Sequence, residues 1–538
     1  MIMKQFSITV REAQEKDLSA IRDIFYTVYS SHYPYPQFYD VDWLKRSVFS
    51  DNIILLVAVD NKSGTVLGSS SVVLDIGAHS DLVGEFGRLV VHPEPRERGI
   101  GNALMAKRIE LVRNRLHLGL VENRTSHVVS QKISLKHRFV PVGFLPLKIP
   151  FNEQRESMAL SVQYFGDALR MRNNHPRIIP EAHGLARSAF TNCSVECDAV
   201  VDDQTPPYPH CAEFDVKELT TGELPTLLQI QRGRVSRREL FGPLRLHYGF
   251  FRLQMAHAQY LVAHEPAVGG KPGRLVGAVG YIRNDHEKLL KIYELITTHD
   301  LPVRFLVEQL LKQSQAWEME YIEADISAHA PRMQRTFLEL GFLPVAYIPA
   351  MVFCDVERID VVRMAMIRGT LDTDLVNLIP EVQPLAESVL RAFTKQSVEP
   401  AISEAAGKIS LFQGLSPEQT QLLAGLCRLA HFQGGDRMFV QGAEAGEMFL
   451  VMEGRVSINV DATFRRIGYV EPGESVGERA LLTGKAHTAA ATAKTNVLAA
   501  VLTRNDLTSL IRQRPDIGLV LYRNLAIGLG QKLLRTDT

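Results

Sequence analysis

The chain has 538 residues, of which 46% are apolar, and its 60 lysines and arginines balance 60 aspartates and glutamates. This length predicts three or four domains, each with enough apolar residues for a core. The zero formal net charge gives no overall field that would attract nucleic acid or a membrane, and no apolar run of about 18 residues predicts a membrane span.

The N-terminus and the cysteines indicate the compartment. Residues 1–10 lack the apolar stretch of a signal peptide, so we expect a cytoplasmic protein with reduced cysteines. The five cysteines are scattered. Cys193, Cys197, Cys211 and His210 would form a metal set, but three intervening residues between the first two is a poor spacing for zinc. We therefore expect no metal site.

Residues 83–108 carry the clearest functional pattern. The apolar run Leu89-Val90-Val91 ends at His92-Pro93, which ends a strand. Arg96-Glu97-Arg98-Gly99-Ile100-Gly101 follows and leads into a helical pattern. Glycines allow close backbone approach, a helix N-terminus attracts anions, and the arginines add positive charge. The segment predicts a pyrophosphate site, although a glycine-rich turn alone is often only a turn.

The order strand, R-x-x-G-x-G, amphipathic helix resembles the acetyl-CoA-binding core of the GNAT acetyltransferases. The resemblance covers about residues 6–165, which we take as a domain at 1–165. It implies acetyl-CoA, or another acyl-CoA, as the cofactor. Other elements of that fold are expected on both sides of this segment. They are an opening strand and helix at 8–11 and 16–29, a hairpin at 53–60 and 65–75, and closing elements at 125–129 (the fifth strand), 130–137 (a short helix) and 140–150. The cofactor-binding residues implied are Leu89, Val90, Val91, Arg96, Arg98, Gly99, Ile100, Gly101, Asn102, His127 and Ser130.

Glu85 stands where members of this family often carry the general base. An ammonium must lose its proton before the amine attacks a thioester carbonyl, and a carboxylate in a partly dry cleft has the raised pKa to assist. A backbone N–H of the same strand would hold the thioester oxyanion. The alternative is that Glu85 is a solvated residue at a strand end.

Two family positions depart from the usual pattern. The family's tyrosine that commonly protonates the leaving thiolate corresponds to Ser134 when positions are counted back from Arg138-Phe139. It corresponds to Phe139 when they are counted back from Gly143-Phe144. The general acid is therefore unassigned, and solvent is left to supply the proton. His127 takes the place of the family's usual asparagine, where it either contacts the cofactor arm or is a structural histidine.

Residues 214–370 repeat the element order of the first domain, as expected after a tandem duplication. At the position of the phosphate loop the chain reads His299-Asp300-Leu301-Pro302-Val303-Arg304. It has no glycine there, and Asp300 would repel a pyrophosphate. We predict a degenerate GNAT-like domain that shapes the substrate cleft, pairs subunits or braces the first domain. Residues 166–213 form a connector, with partial order around a helix ending near Ala189.

Residues 371–408 are expected to hold a linker helix, after which residues 409–538 change character. Ser416 and Pro417 predict a helix start. Short strands at 434–440, 447–453 and 455–460, with glycines between them, indicate an eight-stranded jelly roll. The following segment, Gly473-Glu474-Ser475-Val476-Gly477-Glu478-Arg479-Ala480-Leu481-Leu482, resembles the cyclic nucleotide-binding domain of catabolite activators, cyclic-nucleotide-dependent kinases and gated channels.

The resemblance implies a cyclic phosphate at the N-terminus of a short helix, with Glu478 accepting the ribose 2′-OH. The family's cassette ends in Pro-Arg-Ala-Ala/Ser-Thr, whereas this chain reads Ala486-His487-Thr488-Ala489-Ala490. His487 thus replaces an arginine with an imidazole that is largely neutral at pH 7, a loss of about 2–3 kcal/mol. The nucleotide-binding residues implied are Gly477, Glu478, Ala480, His487 and Thr488. The alternative is an unliganded scaffold or a dimerisation domain.

The predicted fold class is α+β (mixed α/β): tandem GNAT folds followed by an all-β jelly roll with flanking helices. A helix over 517–534 would be a lid over the base or an oligomer seam. No helix-turn-helix pattern follows it, so we expect no transcription factor of the catabolite-activator type.

Two functions remain. The first is an acetyl-CoA-dependent N-acetyltransferase for an amine or a protein lysine, with a regulatory domain, similar to bacterial protein-lysine acetyltransferases that join these two domains. The second is a non-catalytic sensor or assembly protein. In both, we expect a homo-oligomer and neither a nucleic-acid nor a membrane partner.

Overall fold

The computed structural model describes residues 7–74, 81–94, 99–151, 154–210, 214–220, 222–223, 225–227, 240–241, 258–267, 273–354, 356–368, 376–443, 446–460 and 465–536. These residues divide into two compact units, Met1–Leu390 and Arg391–Thr538. Among them, none of the helices has the length and apolar character needed to cross a membrane.

The first unit begins with a half built around seven strands. Its elements are β1 (Ile8–Glu12), α1 (Leu18–Tyr29), α2 (Val41–Val48), β2 (Ile53–Asp60), β3 (Val66–Val73), β4 (Val83–Val91), α3 (Ile100–Val112), β5 (Leu118–Arg124), α4 (Val129–Lys136), β6 (Val140–Phe151) and β7 (Gln154–Tyr164).

A second half follows a short intervening segment. The segment holds β8 (Arg177–Ile178), α5 (Pro180–Asn192) and β9 (Val200–Val201). The second half holds β10 (Asp215–Glu218), β11 (Leu240–Phe241), β12 (Ala258–His264), β13 (Leu275–Asn284), β14 (Leu289–Thr297), α6 (Leu301–Ala316), β15 (Tyr321–Ser327), α7 (Pro331–Glu339), β16 (Leu343–Cys354) and β17 (Glu357–Ile367). The helix α8 (Gln383–Ala405) runs on into the second unit.

The strands of both halves form one sheet in the order β1-β2-β3-β4-β5-β7-β6-β16-β17-β15-β14-β13-β12-β10. The order in the second half mirrors that in the first, as expected for two copies related by an approximate two-fold axis. The halves join at the pair Gly143↔Ala346. Gly143 pairs with Leu160 and Ala346 with Arg363 within their own hairpins, so the two residues at the junction are equivalents. The axis therefore passes through this pair.

The core on each face of the sheet comes from apolar side chains that alternate along the strands and from the helices that cover them. In the first half, α3 packs on β2, β3 and β4, and its Ile100, Leu104 and Met105 are buried with Phe86 and Phe139. A separate cluster under α1 buries Ile21, Phe25 and Leu44. These helices hold the ends of β4 and β5 in place.

The fifth strand of the first half was predicted at 125–129, and this is wrong. The structure has β5 at Leu118–Arg124, because the apolar residues that face the core are Leu118, Leu120 and Val121. The registered pairs with β7 end at Arg124↔Met158, and Thr125 keeps contact with β7, since its N–H and hydroxyl both donate to the Ser157 carbonyl oxygen. His127 consequently lies in the turn before α4.

The connector is more ordered than its sequence indicated. α5 extends to Asn192 and buries five apolar side chains, namely Ala182, Leu185, Ala186, Ala189 and Phe190. It packs against β6 and β16, the two strands at the junction. The segment between the halves therefore forms part of the core that joins them. The repeated element order also predicts a helix after the first strand of the second half, through about Gln231, and much of that segment lies outside the described residues.

The second unit is a jelly roll with helices at both ends. After α9 (Pro417–Ala424) its elements are β18 (Arg428–Phe432), β19 (Arg437–Phe439), β20 (Glu447–Glu453), β21 (Val456–Val460), β22 (Arg465–Val470), β23 (Ser475–Val476), α10 (Glu478–Thr483), β24 (Ala490–Ala493), β25 (Val497–Thr503), α11 (Arg504–Gln513) and α12 (Pro515–Thr536).

Its eight strands form two four-stranded sheets, β18-β25-β20-β23 and β19-β24-β21-β22. Ser416 caps α9 through a reciprocal capping box with Gln419, and Pro417 is its first residue, as predicted. The predicted fold class, mixed helices and strands followed by a jelly roll, is confirmed.

Candidate functional site

The first candidate site lies where β4 and β5 separate. The two strands run parallel and pair from Val83↔Leu118 to Glu85↔Leu120, where the registered pairs end. Just beyond, β4 carries a bulge, since its register with β3 shifts between Ser69 and Ser71. Arg88 sits in this bulge with a φ of 55°, a conformation that is uncommon for a residue other than glycine. Glu85 thus marks the point where a cleft opens between the strands.

A buried arginine on α3 fixes the bulge. Arg108 is 1% exposed, and its Nη1 donates to the carbonyl oxygens of Ser71 and Gly87 at 3.3 and 3.2 Å. Burial, with a smaller contribution from the charge of Arg88, lowers the pKa of Arg108 to about 9. Arg108 therefore ties α3 to the backbone of β3 and β4 beside the cleft.

The N-terminus of α3 provides the surface predicted to bind pyrophosphate. Gly99 is its N-cap with a φ of +77°, and a Cβ there would meet no atom within 4 Å. A Cβ at Gly101 would lie 3.0 Å from Ile133 Cδ1 on α4, so Gly101 also permits close packing of the two helices. Backbone N–H groups of a first helical turn have no acceptor within the helix and favour anions. Arg96 and Arg98 lie outside the described residues.

Other predicted cofactor residues lie on β4, in the first turn of α3 and around the start of α4. Leu89, Val90 and Val91 complete β4, with Val90 buried. Asn102 Oδ1 and Ser130 Oγ are buried and have no hydrogen-bond partner within the described part of the chain. His127 is exposed. Unsatisfied buried polar atoms next to an open helix N-terminus fit a polar ligand such as an acyl-CoA.

Glu85 and Arg88 form an ion pair, with 2.8 Å between Oε1 and Nη1. The side chain of Glu85 is 30% exposed, and the Arg88 guanidinium lies over the Tyr35 ring at 5.2 Å from its centroid. Glu85, Arg88 and Tyr35 all line a cavity of about 270 Å³. Glu85 therefore faces an enclosed space rather than bulk solvent alone.

Both positions considered for the general acid point away from this cavity. Ser134 Oγ donates to Asn123 Oδ1 at 2.9 Å, and both residues are buried. Phe139 is fully buried against Phe86. Neither side chain lines the cavity with Glu85.

The equivalent cleft of the second half is filled by the chain itself. β14 and β15 pair from Leu289↔Tyr321 to Ile292↔Ala324. β11 then pairs with Ile326 and Asp325, on the edge of β15 that faces β14, because β17 occupies the other edge. Asp300 is the N-cap of α6 and accepts a hydrogen bond from Arg332 at 2.7 Å. Lys291 holds the position in β14 that Glu85 holds in β4, because each lies two residues beyond the first registered pair of its strand.

The second candidate site is a cavity of about 400 Å³ in the jelly roll. Gly477, Glu478, His487 and Thr488, four of the residues that the family resemblance implies, line it, and Ala480 lies in α10. Gly477 has a φ of +92° just before α10, which explains the glycine. Glu478 is 5% exposed.

His487 is held inside the same cavity. Its ring stacks on Phe439 with centroids 3.9 Å apart and planes 17° from parallel. Burial lowers its pKa, so it carries no charge at neutral pH and leaves the expected phosphate position without a cation. Two cations that line the cavity elsewhere are Arg479 and Lys532.

Arg88, Arg108 and Lys532 were not predicted from the sequence as residues of either site. The arginines lie within 83–108, but no local pattern marks an arginine as buried. Lys532 follows Leu529 by three residues on α12, and both line the cavity, so helical spacing was the available signal. Within the described ranges, no group of three or more His, Cys, Asp or Glu is placed to hold a metal ion, and Cys211 lies outside them.

Two segments of the chain match known domain families. Residues 18–130 match the sequence model of the acetyltransferase (GNAT) family, and residues 429–514 match that of the cyclic nucleotide-binding domain.

The curated relatives match the C-terminal segment. The cyclic AMP receptor protein of Thermus thermophilus is 30% identical over 130 residues, 24% of this chain and 58% of that protein. A CRP-like cAMP-activated global transcriptional regulator of Mycobacterium tuberculosis is 27% identical over 139 residues, 25% of this chain and 60% of that protein. The chain thus spans less than two thirds of either relative.

Two solved structures are also similar to part of the chain. The catabolite activator protein of Thermus thermophilus is 30% identical and covers 24% of this chain and 60% of its own, with a TM-score of 0.22. The N-terminal domain of a transcriptional regulator from Streptomyces coelicolor A3(2) is 28% identical and covers 24% and 93%, also with a TM-score of 0.22.

Proposed function

Because the chain carries a GNAT acetyltransferase domain at residues 18–130 and a cyclic nucleotide-binding domain at residues 429–514, we propose that it is an acetyl-CoA-dependent N-acetyltransferase of the cytoplasm. Its acceptor is an amine or a protein lysine. Its C-terminal domain regulates the reaction, by binding a cyclic nucleotide or by assembly.

The placement of Glu85 carries the proposal. Glu85 is the last residue of β4 that pairs with β5, so it lies where the cleft opens, on the strand that leads to the N-terminus of α3. Acetyl-CoA would supply the acetyl group as a thioester. The residues that would hold it are the strand end Leu89, Val90 and Val91, and the helix start with Arg96, Arg98, Gly99, Ile100, Gly101 and Asn102, together with His127 and Ser130.

Within this arrangement Glu85 takes a proton from the acceptor ammonium, which makes the amine nucleophilic. Arg88 must shift when an ammonium approaches, since it now pairs with Glu85. Ser134 and Phe139 are both turned into the core, so solvent protonates the leaving thiolate. The second half, with β11 in its cleft and Lys291 at the position of the base, takes no cofactor.

Assembly is part of the proposal. The last helix, α12, buries Ile517, Leu521 and Leu525 in the domain core. It exposes a separate set of large apolar side chains, which are Leu519, Tyr522, Ile527, Leu533 and Leu534. Such a set on one helix suits a second copy of the chain in a homo-oligomer. Sedimentation of the unaltered chain and of a Leu519→Glu/Leu533→Glu variant tests it.

The Glu85–Arg88 pair favours one alternative, a non-catalytic sensor that binds acetyl-CoA or a nucleotide as a signal. In that case the carboxylate would serve only to hold Arg88 in the bulge. Calorimetry of the full chain with acetyl-CoA, followed by thiol-release assays against amines and lysine peptides, separates the two. We expect one acetyl-CoA per chain and thiol release with at least one amine. Binding without release would establish the sensor, and two acetyl-CoA per chain would show that the second half binds cofactor.

A further inference from the structure

The cavity that holds Glu85 is shared by the two halves of the first unit. By register, its lining includes four equivalent pairs, Val83 with Leu289, Glu85 with Lys291, Leu120 with Glu323, and Glu122 with Asp325. Lys148 and Met351 form a fifth pair, one on each side of the junction between β6 and β16. The cavity therefore lies across the approximate two-fold axis.

Most charges around the cavity neutralise one another. Lys148 pairs with Glu122 at 2.6 Å and with Glu323 at 3.1 Å. Arg363 pairs with Asp325 at 2.6 Å, and Lys291 lies 3.3 and 3.1 Å from Glu323 and Asp325. Three cations thus match three carboxylates. Glu85 forms its ion pair with Arg88. Among the described lining residues, the remaining carboxylate, Glu287, has no ion-pair partner.

Glu287 is held in place by a contact that occurs twice in the molecule. Arg155 donates to the carbonyl oxygens of Leu147, Lys148 and Glu287. Its equivalent Arg358 donates to those of Ala350, Met351 and Asp81. Asp81 lies two residues before β4 and Glu287 two residues before β14, so the two acidic residues are equivalents. Both turns are anchored in the same way.

The two carboxylates nevertheless differ in their partners. Asp81 Oδ1 accepts a hydrogen bond from the Phe353 N–H at 3.1 Å. The residue equivalent to Phe353 is Pro150, from the registers of β6–β7 and β16–β17, and proline has no N–H. Glu287 is 7% exposed, and its Oε1 has no hydrogen-bond partner within the described part of the chain. A buried carboxylate without a partner is costly to retain.

We propose that Glu287 of the second half binds the ammonium group of the acceptor, a primary alkylamine, inside the cavity that Glu85 shares. This inference rests on the proposed acetyltransferase function and assigns a role to the second half. Glu287 supplies the missing countercharge, whereas Glu85 removes the proton. A free amine and a lysine side chain carry the same alkylammonium, so the experiment includes both.

The charges around Glu287 set the pH dependence of binding. Burial raises its pKa to about 7, with the carboxylates of Glu122 and Glu85 adding to the effect and Lys148 and Arg88 opposing it. Tyr35 from the first half and Asn284 and Lys291 from the second also line the cavity. The ionised form binds an ammonium, so affinity should rise as pH increases through 7. An alkylamine stays charged over this range.

The test is titration calorimetry of the full chain with n-butylamine, with butan-1-ol as the uncharged analogue and an Nα-acetylated lysine peptide as the second source. We expect the amine or the peptide to bind about tenfold more tightly at pH 8 than at pH 6, given a pKa near 7. Glu287→Gln should lower the affinity at pH 8 roughly 10- to 100-fold and remove the pH dependence. Butan-1-ol should not respond to the substitution.

Glu318→Gln is the matched control, because Glu318 lies in the same half, is 81% exposed and does not line the cavity. It should bind as the unaltered chain does. Glu287→Asp, which keeps the charge, should retain the pH dependence and guards against a folding defect in the glutamine variant. Equal ammonium binding by Glu287→Gln and the unaltered chain would overturn the proposal. Because this readout needs no turnover, absent thiol release would instead count against the acetyltransferase.

Discussion

Lys532 near the end of α12 donates hydrogen bonds to the Glu478 carboxylate and to the Ser475 carbonyl oxygen. Glu478 is the residue that the family resemblance assigns to the ribose 2′-OH, so the last helix supplies the contact that a ligand would otherwise make. If Glu478 takes the ribose 2′-OH, as the resemblance implies, a cyclic nucleotide displaces Lys532 from this carboxylate. Ligand binding and the position of the end of α12 are therefore linked through one carboxylate.

His487→Arg should create or strengthen cyclic AMP binding in the jelly-roll cavity. Arginine is charged at all relevant pH values, whereas burial lowers the pKa of His487 and only the imidazolium can pair with phosphate. Any binding by the unaltered chain should therefore tighten only as the pH falls below the ordinary pKa of histidine. Calorimetry at pH 7.5 should show a gain of roughly 30-fold or more.

The control is His431→Arg, an exposed histidine on β18, which should leave cyclic AMP affinity unchanged. Tight binding by the unaltered chain that does not vary with pH would contradict the account of His487. No binding by either form would mean that Lys532 and the apolar wall keep the cavity closed, and that the domain serves assembly.

Glu85→Gln should reduce turnover by about 100-fold or more while leaving the Kd for acetyl-CoA almost unchanged. The loss should be greatest at low pH, where the free amine, which can react without a base, is scarcest. Thiol-release rates across pH 6–9 provide the measurement. Glu110→Gln on the exposed face of α3 is the control. A pH–rate profile that is the same in both variants would leave a water relay as the base.

Gly99→Val should weaken acetyl-CoA binding at least tenfold, because its side chain would enter the open space in front of α3. The positive φ also makes the substitution destabilising by about 1–2 kcal/mol. Gly64→Val separates these effects, since Gly64 has a φ of +72° and equally open surroundings in the turn between β2 and β3. Thermal unfolding should shift alike in both variants, and calorimetry should detect weaker binding in Gly99→Val alone. Equal binding by both would remove Gly99 from the cofactor site.

Gly143→Ala should destabilise the first unit by about 1–3 kcal/mol. The new Cβ would lie 2.3 Å from Ala346 Cβ, 2.8 Å from its Cα and 2.8 Å from the Val345 carbonyl oxygen. Adding Ala346→Gly removes the first contact but not the two with backbone, so it should restore part of the lost stability. Gly184→Ala on α5, where a Cβ meets an ordinary contact at 3.4 Å, should not destabilise. An unchanged melting temperature in Gly143→Ala would mean that the junction can open.

The parts of the fold that the sequence predicted are those with a strong local pattern. Leu89-Val90-Val91 followed by a glycine-containing turn marked β4 and α3, and Ser416-Pro417 marked the start of α9. The fifth strand was placed too late because Thr125 and its neighbours are β-branched or polar residues that also occur in strands. The boundary depends on where pairing with β7 stops, since the registered pairs end at Arg124↔Met158.

The parts that could not be predicted depend on contacts between distant segments. β11 occupies the cleft beside β15 through pairs that join residues more than eighty positions apart. Glu287 gains its environment from Lys148 and Glu122 of the other half, and Lys532 reaches Glu478 across 54 positions. No periodicity within a single element reports such contacts.

Because the approximate two-fold axis passes through Gly143 and Ala346, the cavity that Glu85 and Glu287 line has two sides that can differ in sequence. In a homodimer every substitution at such an interface occurs twice, once on each side of the axis. Here the two sides are different residues of one chain. Position 85 can therefore be a carboxylate while its counterpart is Lys291. Likewise, Pro150 can stand on one side where the other side has the N–H donor of Phe353. Encoding both sides in one chain thus lets a symmetric architecture carry a carboxylate on one side and a different group opposite it.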